Sequence, residues 1–236
     1  MEAFISHRVL KKRPARTPLG EAVEDYLKTV YQLTVADRPA STTAVAAVLK
    51  VSPAAVTKML RRLAALRLVN HSRYRGVRLT PAGRKVALEI VRHHRLLELY
   101  LTEALGYPLD WVHAEADILE HAISEDFEER IDKLLGYPQL DPHGDPIPSR
   151  SGAIPKAKGR MLSQAEVGDK LVIRRVSDTN VDLLRYFVSL GLVPRAAVEV
   201  TEKLPFDGPV KVRVTGTGAE HFIGREAARS VFVERR

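Results

Sequence analysis

The sequence of 236 residues contains no cysteine. This absence excludes disulfide bonds and any thiolate metal site, and it is compatible with a reducing compartment. No apolar run reaches the roughly 18 residues of a membrane-spanning helix. The first 20 residues are basic but lack the apolar stretch of a secretory signal. We therefore expect a cytoplasmic protein with no membrane partner.

Charge is distributed unevenly along the chain. Residues 1–80 contain 15 Lys or Arg against 5 Asp or Glu, whereas residues 81–150 contain 7 against 14. Residues 151–236 are again basic, with 15 against 10. A basic first third indicates a polyanionic partner, most simply nucleic acid. The acidic middle indicates a cation-binding site.

The basic first third has the pattern of a winged helix-turn-helix. A first helix is predicted to begin at Thr17, a second is capped by Ser41, and a third follows a short turn at Pro53. Two short helices joined by a tight turn fit a helix-turn-helix when the second carries exposed Thr and basic residues. Two strand-like pieces around Gly76, rich in Arg, are predicted to form a β-wing.

The third helix is the predicted recognition helix. Such a helix offers its N-terminal residues to base edges in the major groove, while later basic residues meet phosphate oxygens. The predicted base contacts are Ser52, Pro53, Ala54, Thr57 and Lys58. The predicted phosphate contacts on this helix and the wing are Arg61, Arg62, Arg73 and Arg75. A winged helix used for protein contacts is the alternative.

The acidic middle holds imidazoles and carboxylates at helical spacing. The stretch DWVHAEADILEHAISEDFEERI is predicted to be one helix. Offsets of i, i+4, i+7 and i+8 place four of its side chains on one face, namely His113, Asp117, Glu120 and His121. The preceding helix, predicted over 80–105, carries His94 and Glu98, again four apart. This mix of side chains suits a divalent transition metal, and a solvated polar face is the alternative.

The composition changes after the acidic region. Residues 139–160 are dense in Pro, Gly and Ser and are predicted to be a linker. Five strand-like segments and one helix, NVDLLRYFVSLG, follow. They predict a small SH3-like barrel.

Six segments occur in an order that points to one family: EDYLKTVYQL, VSPAAVTKMLRRL, YRGVRLTPAG, HHRLLELYL, VHAEADILEH and DPHGDPIP. Together they closely resemble the diphtheria-toxin-repressor family of iron- and manganese-dependent transcriptional regulators. The resemblance covers residues 17–150 strongly and the C-terminal barrel loosely. It implies a homodimer that binds a palindromic operator in double-stranded DNA, with repression as the usual outcome.

The expected fold class is a mainly α N-terminal winged helix-turn-helix plus a helical dimerisation domain, followed by a small all-β SH3-like barrel domain. The expected divisions are a flexible basic arm at 1–16, the DNA-binding domain at 17–81, metal-binding and dimerisation helices at 82–138, a linker at 139–160 and an SH3-like (FeoA-like) domain at 161–236.

The resemblance also implies two metal sites. The primary ligands it implies are Asp25, Asp117, Glu120 and His121. The ancillary ligands it implies are His94, Glu98, His113 and His143, with Asp141 where related chains often carry Cys. One more ligand is expected from the barrel, with Asp178 as the first candidate and Asp182 as the second.

Two departures from the family pattern bear on the metal. Asp25 and Asp117 are carboxylates where the iron-sensing members have Met and Cys, and an oxygen-rich set with imidazoles suits Mn(II) and tolerates Fe(II). Lys28 stands where short manganese regulators carry Glu, which argues against a binuclear site of their type. We expect Mn(II) as the cofactor, with Fe(II) as the alternative.

The implied ligands come from separate segments, so one cation joining them would fix the DNA-binding module relative to the dimerisation helices. Without metal, the clustered carboxylates are expected to repel one another and free that module. A homodimer interface is expected from apolar side chains of the helices, namely Leu96, Leu99, Leu119, Ile123, Ile131 and Leu134.

Three other functions compete with this interpretation. A metal-independent winged-helix regulator that responds to a small ligand would bind its operator regardless of chelator. A hydrolytic metalloenzyme could use the same ligand types, although the sequence has neither an HExxH motif nor a nucleophile elbow. The barrel could instead be a peptide-binding module.

Overall fold

The computed structural model of the protein describes residues 19–34, 38–72, 75–157 and 159–236. The basic arm predicted at 1–16 and the helix start predicted at Thr17 lie outside the described residues. So does the phosphate contact predicted at Arg73.

Three helices and a two-stranded antiparallel hairpin form the N-terminal unit. In chain order they are α1 (Glu21–Thr34), α2 (Thr42–Leu49), α3 (Pro53–Ala65), β1 (Val69–Ser72) and β2 (Gly76–Leu79). Ser41 and Ser52 cap α2 and α3, because each hydroxyl accepts a hydrogen bond from a backbone N–H in the first turn. Leu27 and Val30 of α1 share a buried core with Leu60 of α3. The predicted winged helix-turn-helix is confirmed.

The helix predicted over 80–105 is confirmed as α4 (Pro81–Leu105). The Thr80 hydroxyl caps its start by accepting from Gly83 N, and Gly106 ends it in the left-handed conformation with φ +71°. α4 packs against α1 and against the two helices that follow it in the chain. Within the described residues no single helix is long and apolar enough to cross a membrane, although α2 and α3, bent by 108°, meet those criteria as a pair.

The prediction of one continuous helix over the acidic stretch is wrong. The chain forms two helices, α5 (Val112–Leu119) and α6 (Glu125–Leu134). The helix is interrupted because the Ser124 hydroxyl accepts from Phe127 N and so begins a new one. Glu120 and His121 therefore lie at the end of α5 and in the turn after it, rather than on one long helical face.

Only some of the apolar side chains predicted to form the dimer interface are free to do so. Leu96, Leu99 and Ile131 are buried in a core formed by α4, α5 and α6 of the same chain. Leu119 and Ile123 are partly buried against that core. Leu134 is exposed, as the expectation required, and further exposed apolar side chains in this region are Leu105, Trp111, Ile118, Phe127 and Tyr137.

The C-terminal domain is a six-stranded antiparallel sheet in the order β3-β8-β4-β5-β6-β7. The elements are β3 (Arg160–Met161), β4 (Lys170–Val176), α7 (Val181–Ser189), β5 (Ala197–Lys203), β6 (Val210–Val214), β7 (Glu220–Ile223), α8 (Arg225–Arg229) and β8 (Val231–Arg235). The five predicted strands and the helix between the first two are present, and β3 and α8 are additions. Phe187 of α7 lies in the fully buried core of this domain.

The Pro- and Gly-rich segment before this sheet is packed between the two halves of the molecule. Ile147 is buried in the helical core. Val176 N of β4 donates to the His143 carbonyl at 2.9 Å. Gly144 has φ +90°, and a Cβ there would overlap the Arg174 carbonyl oxygen. This backbone contact holds the segment directly against the sheet.

A buried ion network joins α4 to α6 and to this segment. Arg92 Nε donates to Glu128 Oε1 at 2.6 Å, and Nη2 donates to Asp132 Oδ2 at 2.5 Å. Its Nη1 donates to the Pro148 carbonyl at 2.8 Å. Burial opposes ionisation of Glu128, but the neighbouring His93 ring and the Arg92 guanidinium outweigh it and lower the Glu128 pKa to about 2. Glu128 therefore stays ionised over most of the acidic range.

Replacing Gly144 with Ala is expected to loosen the contact between the helical domain and the sheet. The left-handed backbone alone costs an L-residue roughly 1–2 kcal/mol, and the overlap with Arg174 adds to that cost. Gly136→Ala is the matched control, because Gly136 also has positive φ but open space around it. Urea unfolding should show a larger loss of stability for Gly144→Ala. Equal losses would contradict the packing described.

The Glu128→Gln variant is expected to have a shallower acid dependence of stability than the wild type. The folded-state pKa is about 2, below the ordinary value of 4.5, so the carboxylate contributes stability above pH 4.5 that is lost as the pH falls through about 2. Urea unfolding at several pH values between these limits measures the difference. Parallel profiles for the two proteins would show that the ion network contributes nothing.

Candidate metal centre

Three predicted ligands from two separate parts of the chain meet in one cluster. Asp25, Glu120 and His121 each offer a ligand atom, and these atoms lie within 4.8 Å of one another. His121 Nε2 is 2.9 Å from Asp25 Oδ1 and 3.5 Å from Glu120 Oε1. Asp25 belongs to α1, whereas the other two follow α5. The cluster therefore joins the DNA-binding unit to the helical domain.

Glu24 completes this cluster and was missed by the sequence analysis. His121 Nδ1 lies 2.8 Å from Glu24 Oε2, so its N–H donates to that carboxylate and leaves Nε2 facing Asp25. Metal-binding histidines commonly have such a partner behind them. Burial opposes protonation of His121, but Glu24, Glu120 and Asp25 outweigh it and raise the His121 pKa. The sequence did offer one indication of this role, because Glu24 is an acidic residue directly before the predicted ligand Asp25.

Lys28 lies among the carboxylates rather than away from them. Its Nζ contacts Asp117 Oδ1 at 2.8 Å and the two Glu120 oxygens at 2.9 and 2.7 Å. Burial opposes ionisation of Asp117, but the Lys28 charge outweighs it and lowers the Asp117 pKa. The expectation that these carboxylates repel one another freely without metal is therefore wrong. The Lys28 ammonium of α1 already neutralises part of their charge.

Asp117 falls into a neighbouring group instead of the Asp25 cluster. Its ligand atom lies within 4.8 Å of those of His94 and His113. His94 Nδ1 is 2.6 Å from Glu120 Oε2, and His94 Nε2 is 2.9 Å from Glu98 Oε1. Burial lowers the His94 pKa, but Glu98 and Glu120 outweigh it and raise the pKa to about 10. His94 is thus the bridge between the primary and ancillary groups.

The predicted ancillary ligands also meet, in two overlapping clusters. Glu98, Asp141 and His143 form one, and Glu98, His113 and Asp178 form the other. His113 Nδ1 lies 3.1 Å from Glu98 Oε1 and 3.7 Å from Asp178 Oδ2. The second barrel candidate lies outside both clusters, because the Asp182 side chain is 92% exposed and contacts Arg185.

Two buried atoms in the ancillary cluster have no hydrogen-bond partner among the described residues. They are Glu98 Oε2 and His143 Nδ1, which face each other at 3.7 Å. His143 Nε2 is 3.1 Å from the Leu109 carbonyl, so that nitrogen carries a hydrogen and Nδ1 is left for another partner. A buried carboxylate facing an imidazole lone pair requires a cation between them, either a proton or a metal. The residues therefore fit a divalent metal.

Protonation supplies that cation when no metal does. Burial lowers the His143 pKa, but the adjacent Glu98 carboxylate outweighs it and raises the pKa to about 9. Asp141 behaves differently, since burial and the Glu98 charge raise its pKa well above the usual range. Its Oδ1 also accepts the backbone N–H groups of His143 and Asp145, which shapes the loop that presents His143.

The predicted DNA-contacting residues lie on the surface of α3 and the wing. Pro53, Ala54, Lys58, Arg61, Arg62 and Arg75 are exposed. The two hydroxyls are already engaged locally, since Ser52 caps α3 and Thr57 Oγ1 donates to the Pro53 carbonyl at 2.9 Å. Arg62 also lines a cavity of about 500 Å³ together with Glu24 and His121. This side of the recognition helix therefore borders the primary cluster.

Three family models match the chain in succession. The iron dependent repressor N-terminal DNA binding domain matches residues 18–77, the iron dependent repressor metal binding and dimerisation domain matches 80–149, and the FeoA domain matches 160–235. The iron-dependent repressor IdeR of Mycobacterium tuberculosis is 32% identical over 230 residues, which are 92% of this chain and 98% of IdeR. The diphtheria toxin repressor of Corynebacterium diphtheriae is 34% identical over 130 residues, 55% of this chain and 58% of that protein.

Solved structures give the same result. A manganese-dependent transcriptional repressor in complex with manganese is 38% identical, with a TM-score of 0.80 over 91% of this chain and 100% of that one. ScaR with bound Cd²⁺ is 34% identical, with a TM-score of 0.76 over 91% of this chain and 99% of ScaR. These relatives are repressors and not enzymes, so the hydrolase alternative is wrong. By sequence, fold and domain order, the chain belongs to the iron-dependent repressor family of metal-dependent transcriptional repressors.

Proposed function

We propose that the protein is a Mn(II)-dependent repressor of manganese and iron homeostasis genes, which binds a palindromic operator as a homodimer in the cytoplasm. One observation carries the proposal. Asp25 of the DNA-binding unit meets Glu120 and His121 of the helical domain within 4.8 Å. A cation held by these side chains would tie the two units together, which is the coupling that a metal-dependent repressor needs.

The donor chemistry supports manganese. The primary cluster offers two carboxylates and one imidazole, and the chain has no cysteine to supply sulfur. Oxygen-rich sites suit Mn(II), whereas soft ligands favour copper, zinc or iron–sulfur chemistry. Fe(II) is tolerated by the same set. The similar repressor solved with manganese is consistent with this choice.

We assign the primary site to Asp25, Glu120 and His121, with Asp117 as a further ligand from the adjacent group. The ancillary ligands would be His94, Glu98, His113, Asp141, His143 and Asp178. Bound metal would supply positive charge shared by side chains of separate segments. Glu24 orients His121, and the loop built around Asp141 presents His143 beside Glu98.

The link to DNA passes through α1. Leu27 and Val30 lie in the same buried core as Val56 and Leu60 of the recognition helix, so a restraint on α1 also restrains α3. Metal would thereby select the arrangement in which two recognition helices of a dimer match successive major grooves. The two-fold symmetry of such a dimer predicts a palindromic operator.

The proposed base contacts remain Ser52, Pro53, Ala54, Thr57 and Lys58, and the proposed phosphate contacts remain Arg61, Arg62, Arg73 and Arg75. Exposure of Lys58 and Arg75 supports these assignments. The hydroxyls of Ser52 and Thr57 would add DNA contacts only beside the hydrogen bonds they already make within α3.

His121→Ala is expected to abolish the manganese response while leaving the fold intact. It is a cleaner test than removing Glu120, which would leave Lys28 buried without a main partner. The probe is a duplex selected from a random-sequence pool by the Mn(II)-loaded wild type. Fluorescence anisotropy across a Mn(II) titration should show tightening for the wild type and for the control His221→Ala, whose residue lies on β7. A wild-type response from His121→Ala, or no enriched duplex, would refute the proposal.

Lys58→Ala and Arg75→Ala are expected to affect DNA binding in different ways. Loss of a base contact should weaken binding and relax sequence choice. Loss of one phosphate contact should make the negative slope of log affinity against log salt shallower by about 0.9. Anisotropy titrations on the selected and a scrambled duplex measure both, with the exposed Lys170→Ala on β4 as control. Unchanged selectivity for Lys58→Ala, or an unchanged slope for Arg75→Ala, would remove that residue from the interface.

A further inference from the structure

Lys28 forms a buried ion cluster inside the proposed metal centre. Lys28 and Glu120 are both buried, and the ammonium contacts both Glu120 oxygens at 2.7 and 2.9 Å. It also contacts Asp117 Oδ1 at 2.8 Å and lies 3.1 Å from His94 Nδ1. Exposed ion pairs contribute little, but a buried set with several hydrogen bonds holds its members in place.

This position conflicts with full access of a metal to Glu120. Glu120 Oε1 is 2.9 Å from Lys28 Nζ and 3.5 Å from His121 Nε2, so it lies between the ammonium and the primary cluster. A cation bound by Asp25, Glu120 and His121 would therefore share this carboxylate with Lys28. The metal and the Lys28 ammonium would then be two positive charges on opposite sides of one carboxylate. They repel each other, and the repulsion is stronger in a buried site than in water.

We infer that Lys28 is a resident counter-cation that competes with the metal for Glu120 and thereby sets the metal concentration to which the protein responds. The inference rests on the proposed metal site but does not depend on DNA binding. In the metal-free protein Lys28 contacts both Glu120 oxygens and shares the neutralisation of Glu120 with His94, whose Nδ1 lies 2.6 Å from Oε2. Metal entering the primary site competes with the ammonium for Glu120 and also for Asp117, whose Oδ1 the ammonium contacts at 2.8 Å.

Two effects of opposite sign follow from removing the charge of Lys28. The metal-free protein becomes less stable, because buried carboxylates lose their partner. The affinity for Mn(II) rises, because a charge at about 4–6 Å changes an ionisation equilibrium by roughly 10- to 1000-fold. A residue that merely supported the ligands would lower both stability and affinity.

The test compares the full-length wild type with Lys28→Met, which keeps the length of the side chain without its charge. Free Mn(II) is measured by electron paramagnetic resonance during a titration, and thermal unfolding is followed with EDTA and with Mn(II). Lys28→Met should bind Mn(II) at least about tenfold more tightly, unfold at a lower temperature in EDTA and gain more from Mn(II). Lys28→Arg, which keeps the charge, should bind less tightly than Lys28→Met. The exposed Lys170→Met is the control for loss of a lysine.

Equal or weaker Mn(II) binding by a folded Lys28→Met would overturn the inference. If that variant folds only when Mn(II) is added, or does not fold at all, Lys28→Gln is titrated in its place, and tighter or unimproved binding decides in the same way. A wild type that binds Mn(II) but never gains affinity for DNA defeats the proposed function alone. Absence of Mn(II) binding by wild type and variants defeats both.

Discussion

Carboxyl groups buried in a protein require a positive charge nearby or a proton of their own, and the helical domain of this protein buries several of them close together. Glu98, Glu120 and Asp141 are almost fully buried, within one region that also holds His94 and His143. Lys28 and His94 both contact Glu120, His143 faces Glu98, and Arg95 lies 3.4 Å from Asp141. Burial opposes protonation of the two imidazoles, but the neighbouring carboxylates raise the pKa of His94 to about 10 and that of His143 to about 9, which favours their protonated forms. Metal binding would exchange these internal cations for an external one. Burial of acidic groups is thus what makes the fold responsive to a cation.

The same arrangement explains why a small ion can affect a distant surface. α1 provides Asp25 to the proposed primary site and Leu27 to the core that it shares with α3. The C-terminal sheet is connected similarly, because Asp178 reaches the ancillary cluster and the backbone at Gly144 packs against β4. Two positions where chain segments meet are therefore also positions where ligand side chains converge.

Much of this could be predicted from the sequence, because the relevant signals are local. The cap at Ser41, apolar periodicity and alternating strands predicted the winged helix, α4 and the barrel strands. The break at Ser124 was missed because its capping hydrogen bond competes with an otherwise good helical pattern. Burial of Leu96 and Ile131 in the chain's own core was missed for a different reason, since periodicity does not identify the partner of an apolar face.

The site was harder to predict in detail. All ten predicted ligands fall in the four clusters, yet their division into groups depends on contacts between residues far apart in sequence. Lys28 and Glu120 are separated by 92 positions, and nothing local indicates that they touch. Asp178 and Asp182 are chemically identical, so only the folded chain distinguishes them. The role of Glu24 likewise appears only when His121 is placed beside it.

The most direct test of the central claim is the affinity of one wild-type preparation for its selected duplex, measured first after chelation and then after reloading with Mn(II). Coupling between two binding sites typically changes affinity by roughly 5- to 150-fold. We predict tightening within or above that range on reloading, reversed by a second round of chelator. Equal affinity of the stripped and loaded protein would contradict the account.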